Sequence, residues 1–365
     1  MHRRQVLTLT ATAALAATLP GFARAAFAPT PNNGWRNFEL TTRVTLPTKG
    51  AAAQAWVPVP NMAEPLWSRP GDTTFSGNSA ESALGEAADG KVKFVHATWP
   101  EGTDEAVLEV VSTVATRDRA VDLSSAGASI APLDKAERAR HLAPTELLPT
   151  DGIVADTARE AVGDATNDLE KARAIYNWVV ESSYRDPKTR GCGLGDVATM
   201  LHSGNLSGKC ADLNALFVAL SRAAGIPARD LYGLRVAPSA FGYKSLGAGS
   251  EVVSKAQHCR AEIWLEGFGW VAADPADVRK VVLEEPPKTL TLSDDKVIDA
   301  RNGLFGASEG NWIAYNDAHD VALPGSTQGT LPFLMYPQAE IAGVAQDELD
   351  PPSFAYEITA REIAG

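Results

Sequence analysis

The amino-acid sequence predicts an α+β protein in which an antiparallel β-sandwich precedes a domain of helices and further strands. Residues from about 36 to 117 form several short segments in which apolar and polar residues alternate, separated by clusters rich in Gly, Pro, Asn and Ser. Such a series of short strands is typical of an antiparallel sandwich. From about residue 130, helix-type patterns come first and strand-type patterns follow. This order indicates an α+β domain rather than repeated βαβ units.

Residues 1–26 are interpreted as an export signal that precedes the fold. The segment starts with basic "MHRR", continues with the apolar "QVLTLTATAALAATLP" and reaches a small-residue cleavage site near Ala25. Arg3 and Arg4 favour a twin-arginine (Tat) signal, with a general secretory signal as the alternative. The apolar run is shorter than the ~20 residues that a membrane-spanning helix needs. We therefore expect a periplasmic or otherwise exported protein whose mature form does not insert into a membrane.

The net charge of the chain argues against two classes of partner. The formal charge is −12, and removal of the signal takes away three arginines and no acid, which changes the charge to −15. Nucleic acids and anionic lipid surfaces both require a basic face on their protein partners. We therefore expect the mature chain to bind neither.

Residues 27–125 are predicted to form the sandwich domain. In "NFELTTRVTL" the residues that face the core alternate from Phe38 to Leu46, and "AQAWVPVP", "KVKFVHATW" and "AVLEVVSTVAT" continue the pattern. The polar, Gly-rich stretch over residues 69–91 is predicted to be a long loop. No group of residues in this domain indicates a chemical function.

Residues 126–290 are predicted to form the second domain, and residues 291–365 a strand-rich extension packed on it. The helix patterns of this domain include "NDLEKARAIYNWVVESSY" and "CADLNALFVALSRAAG". The second helix is expected to start with Ser207 as its N-cap, which puts Cys210 in the first turn, and to end at Gly225. The strand patterns that follow contain "AQHCRAEIWLEGFGWVAADPAD".

The position of Cys210 indicates a nucleophile, although a buried structural thiol is the alternative. A thiol in the first turn of a helix lies beside unpaired backbone N–H groups and the positive end of the helix dipole, and both stabilise the thiolate. Because Gly208 has no Cβ atom, a substrate could approach the backbone there closely. A thiolate nucleophile also needs a base and a group that orients the base.

His258 and Asp274 are the candidates for that base and its orienting acid. They lie on two strand patterns joined by "EGFG", so the two strands are expected to form a hairpin. If the connecting loop has three or five residues, the two side chains reach the same face, opposite each other or one pair removed. Each residue alone has a structural explanation, but the combination of thiol, imidazole and carboxylate favours a catalytic site.

These motifs resemble the transglutaminase-like superfamily, which shares the papain-related cysteine protease fold. "GKCADLNALFVALSRAAGIPAR" is similar to its Cys-bearing helix, and "HCRAEIWLEGFGWVAADP" to its His strand and Asp-Pro strand. The resemblance covers roughly residues 155 to 280, with the motifs in the family's order. It implies a transglutaminase-like domain in which Cys210 is the nucleophile, His258 the general base and acid, and Asp274 the orienting acid.

The resemblance implies acyl transfer through a thioester, on a protein or peptide substrate that could include cell-wall peptide. Water would complete a hydrolysis, as in a peptidase or amidase, and an amine would complete a cross-link. A second oxyanion donor is expected in the loop before the helix, where Asn205 is the candidate. The alternative, since the superfamily also contains members used for binding, is a catalytically silent assembly module of the cell envelope.

The remaining cysteines, Cys192 and Cys259, leave two alternatives open. A disulfide between them would leave Cys210 as the free thiol in an oxidising compartment. Otherwise both are buried thiols. No zinc-ligand spacing is present, so we expect no metal and no cofactor.

Overall fold

A computed structural model describes residues 26–31, 34–127 and 130–364. The predicted export signal therefore lies outside the described residues, apart from Ala26. Within the described ranges, no helix is both long enough and apolar enough to cross a membrane.

Seven strands precede residue 121. They are β1 (Arg36–Leu46), β2 (Ala53–Val59), β3 (Ser68–Gly77), β4 (Glu81–Ala87), β5 (Val92–Trp99), β6 (Ala106–Thr116) and β7 (Arg119–Ala120). Along β6 every second residue is buried, as the alternating sequence predicts. Three more strands come from the end of the chain. They are β15 (Gln338–Ile341), β16 (Val344–Ala345) and β17 (Ala355–Ile363).

Two antiparallel sheets form the predicted sandwich. One has the strand order β17, β1, β6, β3, and the other β16, β15, β2, β5, β4. Their facing side chains form one apolar core, in which Val44 and Leu108 of the first sheet join Val57 and Val95 of the second. The predicted antiparallel sandwich is confirmed.

The predicted long loop over residues 69–91 is wrong, because this stretch contains most of β3 and all of β4. Both are edge strands, β3 paired with β6 and β4 with β5. Most of their side chains are exposed or half-buried. Apolar and polar residues alternate along a strand only when one of its faces is buried. Strands β3 and β4 bury neither face well, so their sequence lacks this pattern.

The second domain places helices against a four-stranded antiparallel sheet of order β12, β11, β10, β14. Its helices are α1 (Lys135–Arg140), α2 (Gly152–Val162), α3 (Asp168–Ser182), α4 (Val197–Ser203), α5 (Cys210–Ala223), α6 (Pro275–Glu284) and α7 (Asp295–Gly303). Its strands are β8 (Tyr184–Arg185), β9 (Ser207–Gly208), β10 (Ala228–Arg235), β11 (Gln257–Leu265), β12 (Gly269–Ala273), β13 (Ala307–Ser308) and β14 (Trp312–Asn316). Helix α5 is buried along almost its whole length, between the other helices and the sheet.

The expectation that residues 291–365 form an extension of the second domain is wrong for their last part. Strand β14 does join the sheet of that domain, but β15 pairs with β2 and β17 pairs with β1. Thr41 of β1 pairs with Thr359 of β17, so the closure of the sandwich by the last strands joins residues that are hundreds of positions apart. The sandwich is therefore built from both ends of the chain, around the inserted second domain. A strand's own sequence does not identify such a distant partner.

Candidate active site

Helix α5 starts at Cys210, which is its first residue, with Lys209 in the N-cap position. The Asp212 carboxylate accepts a hydrogen bond from the Lys209 backbone N–H, at 2.9 Å between N and Oδ2. The predicted cap, Ser207, lies instead in β9, where it pairs with Tyr184 of β8. The predicted placement of Cys210 at the helix start is confirmed. Its N–H belongs to the first turn, whose donors have no acceptor within the helix.

The Asp212 carboxylate also binds the Gly-rich loop that precedes α4. It accepts hydrogen bonds from the N–H groups of Leu194 and Gly195, each at 3.0 Å. A Cβ atom at Gly193 or at Gly208 would lie 1.9 Å or 2.4 Å from its Oδ2 atom, so a side chain at either position would displace the carboxylate. Asp212 therefore requires these two glycines, and the packing fixes the loop against the start of the helix.

The β11–β12 hairpin has the geometry that the sequence predicts. Its strands are joined by three residues, 266–268, and Ala261 pairs with Ala273. Continued by one position, this register places Asp274 opposite Arg260, one pair removed from His258 on the same side. His258 Nε2 lies 2.8 Å from Asp274 Oδ2, and both side chains are buried.

Asp274 is held by three donors besides its place at the end of the hairpin. It is the N-cap residue of α6, and its Oδ1 atom accepts the Asp277 N–H at 3.0 Å. The same oxygen accepts from Asn214 Nδ2 at 3.2 Å, while Oδ2 faces His258. Asn214 also binds the Cys259 carbonyl at 2.9 Å and so joins α5 to both β11 and Asp274. Because Nε2 of His258 is engaged by Asp274, Nδ1 is the nitrogen left to exchange a proton with a thiol.

A second carboxylate, Asp277, lies beside the imidazole. Its Oδ2 atom is 3.4 Å from His258 Nε2. Arg235 Nη2 binds both oxygens of Asp277, at 2.6 and 2.8 Å, and this ion pair is fully buried. Sequence reasoning missed Asn214, Asp277 and Arg235. Asn214 follows Cys210 by four residues and thus shares its helix face, a signal that was available.

The three cysteines meet at the start of α5. The sulfur atoms of Cys192, Cys210 and Cys259 lie within 4.8 Å of one another, and all three residues are buried. All three are free thiols, so the structure has the two-thiol alternative rather than the Cys192–Cys259 disulfide. Cys192 Sγ donates to the Gln257 carbonyl at 3.4 Å, and its own carbonyl accepts the Ala211 N–H at 2.9 Å.

The surroundings of Cys210 favour its thiolate. Hydrogen bonds from the Cys192 and Cys259 thiols lower the pKa of Cys210 and outweigh burial, which raises it. A hydrogen bond and the charge of His258 lower the pKa of Cys210 further, to well below its usual range. A hydrogen bond to Cys210 raises the pKa of Cys192 instead. Burial, together with hydrogen bonds to Cys192 and Cys210, raises the pKa of Cys259. Only one sulfur of the cluster is thus set up as a nucleophile.

His258 is correspondingly stabilised as an imidazolium. Burial and the Arg235 guanidinium act to lower the pKa of His258, but the charges of Asp277 and Asp274 raise it to about 9. Burial acts to raise the pKa of Asp277, and Arg235 and His258 nevertheless hold it well below its usual range. Burial raises the pKa of Asp274, with the Asp277 charge acting in the same direction and His258 opposing both. The site therefore favours a thiolate–imidazolium pair near neutral pH.

Cys210 and His258 open onto a common cavity of about 660 Å³. Cys210 is only 5% exposed, so the reacting sulfur is reached through this cavity rather than from the open surface. The walls include the Gly-rich loop before α4, the segment before β11, and residues 348–356 of the sandwich closure. Asn205, the predicted second oxyanion donor, is not among the lining residues. It is exposed and accepts hydrogen bonds from Tyr184 Oη and the Ser207 N–H.

Two groups of side chains have ligand atoms close enough to hold a metal ion, within the part of the chain that the structure describes. One is the three-cysteine cluster, and the other is His258 with Asp274 and Asp277. In the second group Arg235 and the imidazole already neutralise the carboxylates. His202, the histidine nearest to Cys210 in the sequence, lies on α4. It is exposed and belongs to neither group.

Comparisons with known proteins agree with this architecture. The model of the transglutaminase-like superfamily matches residues 155–275. An uncharacterized protein of Haemophilus influenzae is 36% identical over 341 residues, which cover 89% of this chain and 91% of that protein.

Two solved structures also resemble the chain. A candidate cysteine protease from Cytophaga hutchinsonii superposes with a TM-score of 0.50 at 18% identity, over 90% of this chain and 98% of that one. The periplasmic domain of TgpA from Pseudomonas aeruginosa gives a TM-score of 0.34 at 16% identity, over 71% of this chain and 92% of that domain.

Proposed function

The chain belongs to the transglutaminase-like superfamily, a family of cysteine-dependent enzymes, and on this premise we propose that it hydrolyses peptide or isopeptide amides. The observation that carries the proposal is the 2.8 Å contact of His258 with Asp274 beside a thiol at a helix start. Cys210 and His258 line one cavity, and that cavity is large enough for a peptide segment.

Each of the three residues has a distinct chemical task in the proposed reaction. The Cys210 thiolate attacks the amide carbonyl carbon, which forms the S–C bond and places negative charge on the carbonyl oxygen. The N–H of Cys210, in the first turn of α5, can stabilise that oxygen. His258, held by Asp274, transfers its proton to the leaving nitrogen as the C–N bond breaks, which leaves a thioester and a free amine.

Water completes the cycle. The neutral imidazole of His258 accepts a proton from the attacking water, the S–C bond breaks, and the carboxylic acid leaves while the thiolate and imidazolium are restored. One water is consumed for each amide cleaved. An amine in place of water would give a cross-linked product, and the cavity could admit either.

We propose further that the enzyme acts outside the cytoplasm. This rests on the signal-like residues 1–26 of the sequence. Its substrates would then be proteins or peptides of the cell envelope, cell-wall peptide included.

Thiol labelling tests the proposed nucleophile. Iodoacetamide at pH 7 is expected to modify Cys210 first, because its thiolate is the most stabilised of the three. Intact-mass analysis should show one rapid adduct in the wild type and in Cys259→Ala, and none on the same timescale in Cys210→Ala. The proposal fails if Cys210 is unreactive and His258→Ala leaves the labelling rate unchanged. That pair of results would support the catalytically silent binding module instead.

The reaction type is tested by incubating wild-type and Cys210→Ala protein with a bacterial cell-envelope extract. Mass spectrometry should find new peptide termini only with the wild type. Ammonia release without new termini would indicate deamidation of side-chain amides, and higher-mass adducts would indicate cross-linking. Either result would replace hydrolysis of peptide bonds as the function.

A further inference from the structure

The cavity at Cys210 is lined by positive charge, although the chain as a whole is acidic. The full sequence has a formal charge of −12. One acidic residue, Glu348, lines the cavity. Six lysines and arginines line it: Arg185, Arg190, Lys209, Arg235, Lys255 and Lys280. An excess of cations in a cleft of an otherwise acidic protein indicates an anionic ligand.

Several of these cations lack a carboxylate of their own. Arg235 is neutralised by Asp277, and Arg190 by Asp347. Lys209 and Lys255 form no ion pair within 4.0 Å with any described residue. The neutralised guanidiniums of Arg235 and Arg190 therefore contribute little net charge. The excess positive charge of the cavity comes from the other lining lysines and arginines.

Arg185 and Lys280 share a single carboxylate. Arg185 Nε binds Glu284 Oε1, and Lys280 Nζ lies 3.9 Å from Glu284 Oε2. Their side chains are only 12% and 18% exposed, so water screens the excess charge weakly. Burial lowers the pKa of Lys280 to about 8, and the nearby guanidiniums of Arg235 and Arg185 contribute to the decrease. An additional negative charge beside Arg185 and Lys280 would therefore be stabilised by these two cations.

These two cations lie on elements that are connected to the active site and line the same cavity as Cys210. Arg185 pairs with Gly208 in the β8–β9 ladder, two residues before Cys210. Lys280 lies on α6, the helix that Asp274 caps. Lys209, half-buried, immediately precedes the nucleophile. We call Arg185, Lys209 and Lys280 the cationic wall.

We propose that the cationic wall binds a carboxylate of the peptide substrate next to the amide that Cys210 attacks. The inference rests on the proposed peptide hydrolysis and adds a substrate class: peptides with an acidic side chain or a free carboxylate beside the cleaved bond. Charge-assisted hydrogen bonds from lysine and arginine are the usual means of recognising such a group.

Matched peptides test this specificity. Pairs of internally quenched peptides that differ only by Glu or Gln at one position beside the cleaved bond are compared by kcat/KM. The wild type is expected to prefer Glu by at least about tenfold at the position facing the wall. In Lys280→Met the Glu-to-Gln ratio should fall towards one, and Lys280→Arg should retain most of it. Lys171→Met serves as control, because Lys171 pairs with Asp168 on α3, away from the cavity lining. The control should keep the wild-type ratio.

The inference is overturned if every pair is cleaved at equal rates, or if Lys280→Met keeps the wild-type preference. Cleavage of neither peptide would contradict the proposed hydrolysis instead, and the carboxylate site would then be tested by binding alone. For that, fluorescence anisotropy compares the Glu and Gln peptides on Cys210→Ala protein. Tighter binding of the Glu peptide, lost in the Lys280→Met double variant, supports the site. Equal binding, or binding of single-stranded DNA as tight as that of the Glu peptide, overturns it.

Discussion

The strands of the sandwich and those of the sheet behind α5 differ in how completely they are buried. In β6 of the sandwich every second residue is buried, and the residues between them are half-buried. In β10 of the second domain all eight residues are buried, and β11 is buried over most of its length. Yet β10 and β11 carry Arg229, Arg235, Arg260 and Glu262. Strands β1 and β6 keep their charged side chains exposed or half-buried, whereas β10 and β11 enclose theirs.

Three of these four enclosed charges are tolerated because each has an ionic partner, and the fourth, Arg260, donates hydrogen bonds to the Glu309 carbonyl and to Asn311 Oδ1. Glu262 lies between Arg119 and Arg229, and Arg229 also binds Glu64. Arg235 binds Asp277 in the same manner. An ion pair of this kind contributes little net stability, since desolvation offsets the attraction. We therefore attribute the charges around His258 to the chemistry of the site, and the sandwich supplies matched positions against which this can be tested.

The largest expected effect comes from comparing two histidines. His258→Ala should lower kcat/KM at least about 1,000-fold, because the general acid and base is lost. His96→Ala, in the sandwich, should leave kcat/KM unchanged within about twofold and destabilise the fold by about 1 kcal/mol. His96 stacks on Trp56 with ring centroids 5.0 Å apart and binds Gln54 at 3.1 Å.

Peptide cleavage assays give the rates, and circular dichroism establishes that both variants are folded. A folded His258→Ala variant with more than about a tenth of the wild-type rate would contradict the general acid–base assignment.

Arginine variants compare the two regions by stability. Arg235→Met should destabilise the protein by about 3–5 kcal/mol, since it leaves the Asp277 carboxylate buried without its cation. Arg36→Met, which removes the exposed pair with Glu362 in the sandwich, should change the free energy of unfolding by less than about 1 kcal/mol. Urea denaturation at pH 7 measures both. The double variant Arg235→Met/Asp277→Leu should recover much of the loss, and equal instability of single and double variants would refute the pairing argument.

Predictability from sequence also differs between the two regions. The alternation in β1 and β6 identified the sandwich because one face of each strand is buried and the other is mostly half-buried. The edge strands β3 and β4, and the closure by β15 and β17, were missed. Edge strands carry no alternation, and partners hundreds of residues apart leave no local pattern.

The site was predictable where its chemistry follows from local geometry. A helix start placed Cys210, and a three-residue loop set the register that brings His258 to Asp274. Arg235 could not be found, because β10 precedes the hairpin by more than 20 residues and its pairing with α6 is a tertiary contact. Asn205 was proposed from proximity in sequence, yet its side chain bonds to β8 and β9 instead of facing the cavity.

Asparagine variants test positioning rather than chemistry. Asn214→Ala should lower kcat about 10- to 100-fold with little change in KM, because Asp274 loses a donor that fixes its orientation. Asn78→Ala is the matched variant in the sandwich, where Asn78 binds Trp99 Nε1, the Val107 N–H and the Glu105 carbonyl, each at 2.8 Å. It should destabilise the protein and leave kcat unchanged. If Asn214→Ala changes only the free energy of unfolding, Asn214 is structural.

The smallest expected effect is a shift in the pH dependence of kcat/KM. The active form needs the Cys210 thiolate and the His258 imidazolium, so activity should persist to high pH and fall as His258 loses its proton at about pH 9. The sandwich gives the opposite case: burial lowers the pKa of His96, which has no carboxylate partner among the described residues. Asp277→Asn removes a charge that stabilises the imidazolium, and it leaves Arg235 unneutralised beside it.

Both changes lower the pKa of His258, so the basic limb should move to lower pH by about one unit. Peptide cleavage rates, followed from pH 5 to 10, give the limb in each protein. An identical limb in wild type and Asp277→Asn would show that Asp277 serves the packing of Arg235 and does not tune the imidazole. A wild-type limb below pH 7 would mean that burial outweighs the carboxylates at His258.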